Sequence, residues 1–165
     1  RYGNTERVAR AFERGLRRAG VETVSLRTRD SPVESLAEFD LICVGGPTEW
    51  HSSSKRMKAF LRDLGGLDLA GRCGFAFETK LPRRLSGSAA EAIESALERA
   101  GAEIVAHRES AKVYLVEGIP GGASLEEGEE ERFEEIGARV GRAFASRGDG
   151  PRKGLGPRRH PPADP

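Results

Sequence analysis

Gly3, Asn4, Thr5 and Glu6 run directly into an amphipathic pattern, so they stand where a helix begins. A helix start presents backbone N–H groups without partners and the positive end of the helix dipole. Glycine lets the backbone come close to a bound group, and the Thr5 hydroxyl adds a donor. Together they suit an anion, a phosphate above all. The Gly-Lys-Ser/Thr ending of a nucleoside-triphosphate loop is absent. A simpler role is also open, because Asn4 or Thr5 could do no more than cap the helix. Farther along, Pro47-Thr48-Glu49-Trp50-His51 follows an apolar run and holds the only tryptophan of the chain.

Other chemistries find little support. Cys43 and Cys73 both lie in apolar segments and read as reduced thiols of a cytoplasmic protein. The histidines, His51, His107 and His160, are scattered, and no CxxC pattern occurs, so no metal is expected. Net charge is +1, from 27 basic and 26 acidic residues, too balanced for a nucleic-acid or anionic-membrane field. No apolar run approaches the roughly 20 residues that span a bilayer.

These residues need elements to position them. Val8, Phe12 and Leu16 recur at helical spacing over Thr5–Ala19, and Gly20 stops that helix. Val21–Leu26 alternates and predicts a short strand. Leu41-Ile42-Cys43-Val44, closed by Gly-Gly-Pro, predicts a strand covered on both faces. A helix follows over 53–64, then a strand over 72–77. Ser88-Ala-Ala-Glu91 is a capping box that opens the next helix, with Ile93 and Leu97 inward. Ile104-Val105 and Val113–Val116 form an extended segment bent in the middle. Ser124-Leu-Glu-Glu127 is a second capping box, whose helix turns Phe133, Ile136, Val140 and Phe144 inward.

The alternation predicts an α/β doubly wound parallel sheet. The first helix should connect two parallel strands, yet no strand stands before it. The expectation is therefore a chain from which the first, central strand is absent, with an apolar strand preceding Arg1 in the parent protein. Residues 1–147 read as one domain. Residues 148–165, rich in Gly, Pro and Arg, predict a disordered tail.

Arg1-Tyr2-Gly3-Asn4-Thr5-Glu6 resembles the phosphate loop of flavodoxins, with Tyr2 where that family often has Thr. Asp40–Thr48, followed by Met57–Leu61, resembles the family's third strand, flavin loop and next helix. The resemblance implies a flavodoxin-like three-layer sandwich that binds FMN. It further implies contacts to the phosphate from Tyr2, Gly3, Asn4 and Thr5, and to the ring from Pro47, Thr48, Glu49, Trp50 and His51. Trp50 would stack on the ring. Thr79, Lys80 and Leu81, in the stretch Phe77–Ser88, would make the third set. Basic residues there, at 80, 83 and 84, read equally well as a solvated loop. No residue is assigned a catalytic role. The function implied is electron transfer with a redox partner protein. An FMN-dependent NAD(P)H:quinone-type oxidoreductase and a chain that binds nothing are the alternatives.

Overall fold

The computed structural model describes residues 3–30, 32–48, 55–81, 87–119 and 122–147. The tail at 148–165 therefore lies outside the described residues, as do Tyr2, Glu49, Trp50 and His51 among the expected site residues.

The chain opens with α1 (Asn4–Arg18), close to the expected bounds. A short 3-10 helix (Val33–Glu38), not anticipated, leads to β1 (Leu41–Pro47). Then come α2 (Lys55–Leu64), β2 (Cys73–Lys80) and α3 (Ala89–Arg99). The bent extended segment is two strands, β3 (Glu103–Ile104) and β4 (Glu109–Leu115). A short β5 (Ala123–Leu125) and the long α4 (Glu129–Arg147) finish the fold.

The sheet order is β1-β2-β4-β5, with β3 paired to the start of β2. All pairings are parallel except β4 with β5, which is antiparallel, so the sheet is mostly rather than wholly parallel. β2 is the centre: it pairs with β1 along its whole length, with β3 at Cys73 and Gly74, and with β4 from Phe77 to Lys80.

Alternation along the strands sends side chains to two cores. Ile42, Val44 and Ala76 face Met57, Leu61, Ile93 and Leu97 of α2 and α3. Phe75 and Phe77 face Val8, Phe12 and Leu16 of α1 and Phe133, Ile136 and Val140 of α4. The Phe12 and Phe75 rings stack at 5.1 Å between centroids. Two helices on each face make three layers.

Where α1 crosses α4, the backbones nearly touch. A Cβ on Gly15 would lie 2.0 Å from the Glu134 carbonyl oxygen, and one on Gly137 would lie 2.1 Å from that of Phe12. Around this crossing α1 is basic and α4 acidic. Arg7 meets Glu130 at 2.6 Å, Arg14 meets Glu134 at 2.9 Å, and Arg18 meets Glu135 at 2.7 Å.

Two expected elements are corrected. Val21–Leu26 is not a strand. Its alternation is real, but no described strand lies beside it, and Val24 and Leu26 are 65% and 48% exposed. Ser124 opens no helix, because it pairs with Tyr114 in β5; α4 starts at Glu129, after Gly128. A sheet partner outcompetes the local cap there, and the acidic first turn expected of this helix is Glu129, Glu130 and Glu131. Among the described residues no helix is long and apolar enough to cross a membrane.

Candidate functional site

In open parallel sheets, ligands gather beyond the carboxyl ends of the strands. β1 ends at Pro47 and β2 at Lys80, side by side, with Pro47 in register with Thr79. The start of α1 comes to the same edge. The Thr5 and Thr79 hydroxyls are 2.8 Å apart, and the Thr48 N–H donates to the Thr79 carbonyl at 2.9 Å. Gly3–Thr5, Pro47–Thr48 and Thr79–Leu81 are thus brought together through Thr79.

The α1 start is built for a close approach. Gly3 is its N-cap at φ 70°, a left-handed conformation that glycine adopts freely, and no side chain caps this helix. Its first-turn amides are left to another acceptor. The Asn4 side chain does not serve there: its Nδ2 donates to the Ala123 carbonyl at 2.8 Å and ties α1 to β5. Nearby charges are mutually satisfied. Glu6 is paired with Arg10 and Arg27, and hydrogen bonding from Arg10 foremost lowers its pKa. Arg7 is held by Glu130.

The α3 start is the opposite case. Glu78, fully buried, points into it from β2. One carboxylate oxygen accepts from the Ala89 N–H at 2.7 Å, the Ala90 N–H at 3.1 Å and the Thr48 hydroxyl at 2.5 Å. The other accepts from the Ser110 hydroxyl at 2.8 Å and lies 3.1 Å from the Lys80 ammonium. Ser88 donates to both oxygens at 3.2 Å. Burial alone would raise this carboxyl's pKa; the bonds from Thr48, Ser110, Ala90 and Lys80 outweigh it and hold the pKa at about 2. The protein thus fills one helix start with its own carboxylate and leaves the other uncapped.

Two of the expected contacts have work elsewhere. The Lys80 ammonium is committed to Glu78, and Leu81 packs on the core beneath α1. Both Thr79 and Lys80 belong to β2, which runs three residues past its expected end, so the third loop starts later than Phe77. Glu78 itself was no site candidate. Its sequence signal is one acidic residue ending the apolar run Gly74-Phe75-Ala76-Phe77.

Ser88 caps α3 as expected, accepting from the Glu91 N–H at 3.0 Å. Ser88→Ala should lower stability by about 1 kcal/mol, the usual worth of such a cap, measured as a shift of the urea midpoint.

Among the described residues no group of His, Cys, Asp and Glu could hold a metal ion. No family model matches the chain. Among curated proteins it is similar to a flavodoxin of Clostridium saccharobutylicum, 36% identical over 80 residues, covering 47% of this chain and 49% of that protein. It is also similar to an NAD(P)H dehydrogenase (quinone) of Caulobacter vibrioides, 36% identical over 86 residues, covering 40% of this chain and 43% of that one. The chain spans about half the length of the curated relatives it matches or less. In three dimensions it is similar to a flavodoxin of Streptococcus pneumonia TIGR4, with TM-score 0.73 at 20% identity, covering 89% of this chain and 93% of that one.

Proposed function

We propose that this flavodoxin-like chain binds FMN at the carboxyl edge of its sheet and serves electron transfer with a redox partner protein. The observation that carries the reading is the uncapped start of α1, at Gly3–Thr5, lying against Thr79 and within one strand of Thr48. The residues fit the group. Backbone amides, the helix dipole and two hydroxyls suit a phosphate without a cation, and Arg7, the nearby base, is already paired with Glu130. Pro47 and Thr48 start the segment that leads to Trp50, whose ring would stack on the isoalloxazine.

Bound FMN supplies the redox chemistry, accepting and passing on one or two electrons. The chain's contribution is binding and orientation. Gly3–Thr5 would hold the phosphate end, beside the Thr5 and Thr79 hydroxyls, which are hydrogen-bonded to one another.

Titration with FMN and with riboflavin, followed by quenching of flavin fluorescence, tests the reading. FMN should bind roughly 10- to 100-fold more tightly than riboflavin, since charge-assisted bonds to the phosphate contribute about 1.5–3 kcal/mol. Equal affinity for the two, or none for either, would overturn the phosphate assignment. The similarity to a quinone dehydrogenase supports a second reading, an FMN-dependent NAD(P)H:quinone-type reductase. Steady oxidation of NAD(P)H by the purified flavoprotein with a quinone, and no partner protein present, would favour it.

A further inference from the structure

Thr79 is buried, and it is polar where its neighbours on the same face of β2 are apolar. Alternation along the strand puts it on the side of Phe75 and Phe77, towards α1. Its backbone is held on both sides. Pro47 of β1 and Ala111 of β4 pair with it, and its carbonyl accepts the Thr48 N–H at 2.9 Å. That leaves the hydroxyl, whose partner among the described residues is the Thr5 hydroxyl at 2.8 Å.

Distance alone does not say which of the two donates, but burial does. A hydroxyl carries one proton and can also accept. Were Thr5 the donor, the Thr79 proton would be buried with no acceptor among the described residues, which native structures rarely permit. With Thr79 as donor, both atoms are served. The Thr79 proton goes to the Thr5 oxygen, and the Thr5 proton is free to leave the pair. Thr5 is the half-buried partner, and it lies in the first turn of α1, where no side chain caps the amides. Its proton can turn towards the same acceptor as those amides.

Other contacts set where Thr5 stands. Asn4 ties the helix start to Ala123, and Val8 is fully buried in the core one turn on. Among the described residues, only Thr79 bonds to the Thr5 hydroxyl and so governs its rotation.

We propose that Thr79 is a positioning residue for the phosphate site: its buried hydroxyl donates to Thr5 and so aims the Thr5 proton at the bound anion. This rests on the FMN reading. It also gives Thr79 a different place from the one the resemblance implies, since the residue acts through Thr5 and not on the ring.

The test uses the full chain with Thr79→Val, which keeps the side chain's shape and the backbone bond to Thr48 but has no hydroxyl. FMN and riboflavin affinities are read from quenching of flavin fluorescence. Thr79→Val should bind FMN roughly 10-fold more weakly and riboflavin within about 2-fold of the native chain, as for one weakened charge-assisted bond to the phosphate. Thr79→Ser, which keeps the hydroxyl, should recover most of the lost FMN affinity. In a Thr5→Val background, adding Thr79→Val should cost almost nothing further, because a residue that acts only through Thr5 then has nothing to aim.

Unchanged FMN affinity in Thr79→Val would overturn the proposal, and so would equal losses for FMN and riboflavin. Additive losses in the double variant would overturn it as well, by putting Thr79 in direct contact with the cofactor. Should Thr79→Val fail to fold, Thr79→Ala carries the same comparisons. Inorganic phosphate alone, followed by the Thr5 amide signal in NMR spectra, separates this role from the flavin reading. A native chain that binds FMN no better than riboflavin sinks the flavin reading. The Thr79 role then stands if phosphate shifts the Thr5 amide and does so less in Thr79→Val, and it falls if the two chains respond alike or not at all.

Discussion

Gly137→Ala should destabilise the protein by at least about 3 kcal/mol, although on helix propensity alone the change would gain about 1 kcal/mol. The reversal comes from the crossing of α1 and α4. The added methyl would lie 2.1 Å from the Phe12 carbonyl oxygen and 3.2 Å from the Gly15 Cα. Those neighbours are backbone atoms of a helix, so no side-chain rotation relieves the overlap. The helices must separate, and Phe12, Phe133 and Val140 lose contact in the core between them. Gly66→Ala is the matched comparison. A methyl there would have no neighbour nearer than 3.4 Å, so the change should stay within about 1 kcal/mol. Urea unfolding at constant m-value measures both. A loss under about 1 kcal/mol for Gly137→Ala would refute the close crossing.

Acid should remove a stabilising contribution on the order of 3 kcal/mol through Glu78 alone. Its pKa in the folded protein is about 2, below the ordinary carboxylate value of 4.5. A carboxyl whose folded pKa is depressed stabilises the fold above its unfolded pKa and ceases to do so as pH falls through the folded one. The window is therefore about pH 4.5 down to about 2. Glu6 and Glu130 are lowered as well, by hydrogen bonds from Arg10 and Arg7 foremost, but both are half-exposed, so solvent screens their pairs. The difference between native protein and Glu78→Gln isolates the buried group. That difference should be large at pH 6 and shrink steadily towards pH 3 in urea unfolding. A difference that does not vary with pH would show that Glu78 is not held ionised by its partners.

What the sequence made legible was local or periodic. The helical spacing of Val8, Phe12 and Leu16 found α1, and the uninterrupted apolar run at 41–44 found β1, though the strand is buried on one face and only half-buried on the other. Ser88 capped its helix because nothing competed for its hydroxyl's nearest amide. Ser124 failed for the converse reason: pairing with Tyr114 took its backbone into a strand. Val21–Leu26 carried a strand's alternation, but alternation needs a neighbour before it becomes a sheet. Residue order singled out Gly3–Thr5 and Pro47–Thr48, and the structure brings these described residues to one edge. Glu78 was invisible as a hub because its partners lie up to 32 positions away and only the fold assembles them.

Arg14 and Arg18 of α1 reach Glu134 and Glu135 of α4 across 116 to 120 positions of chain. Contacts this distant in sequence require closing a very long loop before they return any enthalpy. Topology thus places the docking of the first helix on the last among the late events of folding. Weakening that seam should then hasten the escape from the native basin far more than it slows entry. The lifetime of the folded chain, rather than its speed of formation, is what those touching glycines set.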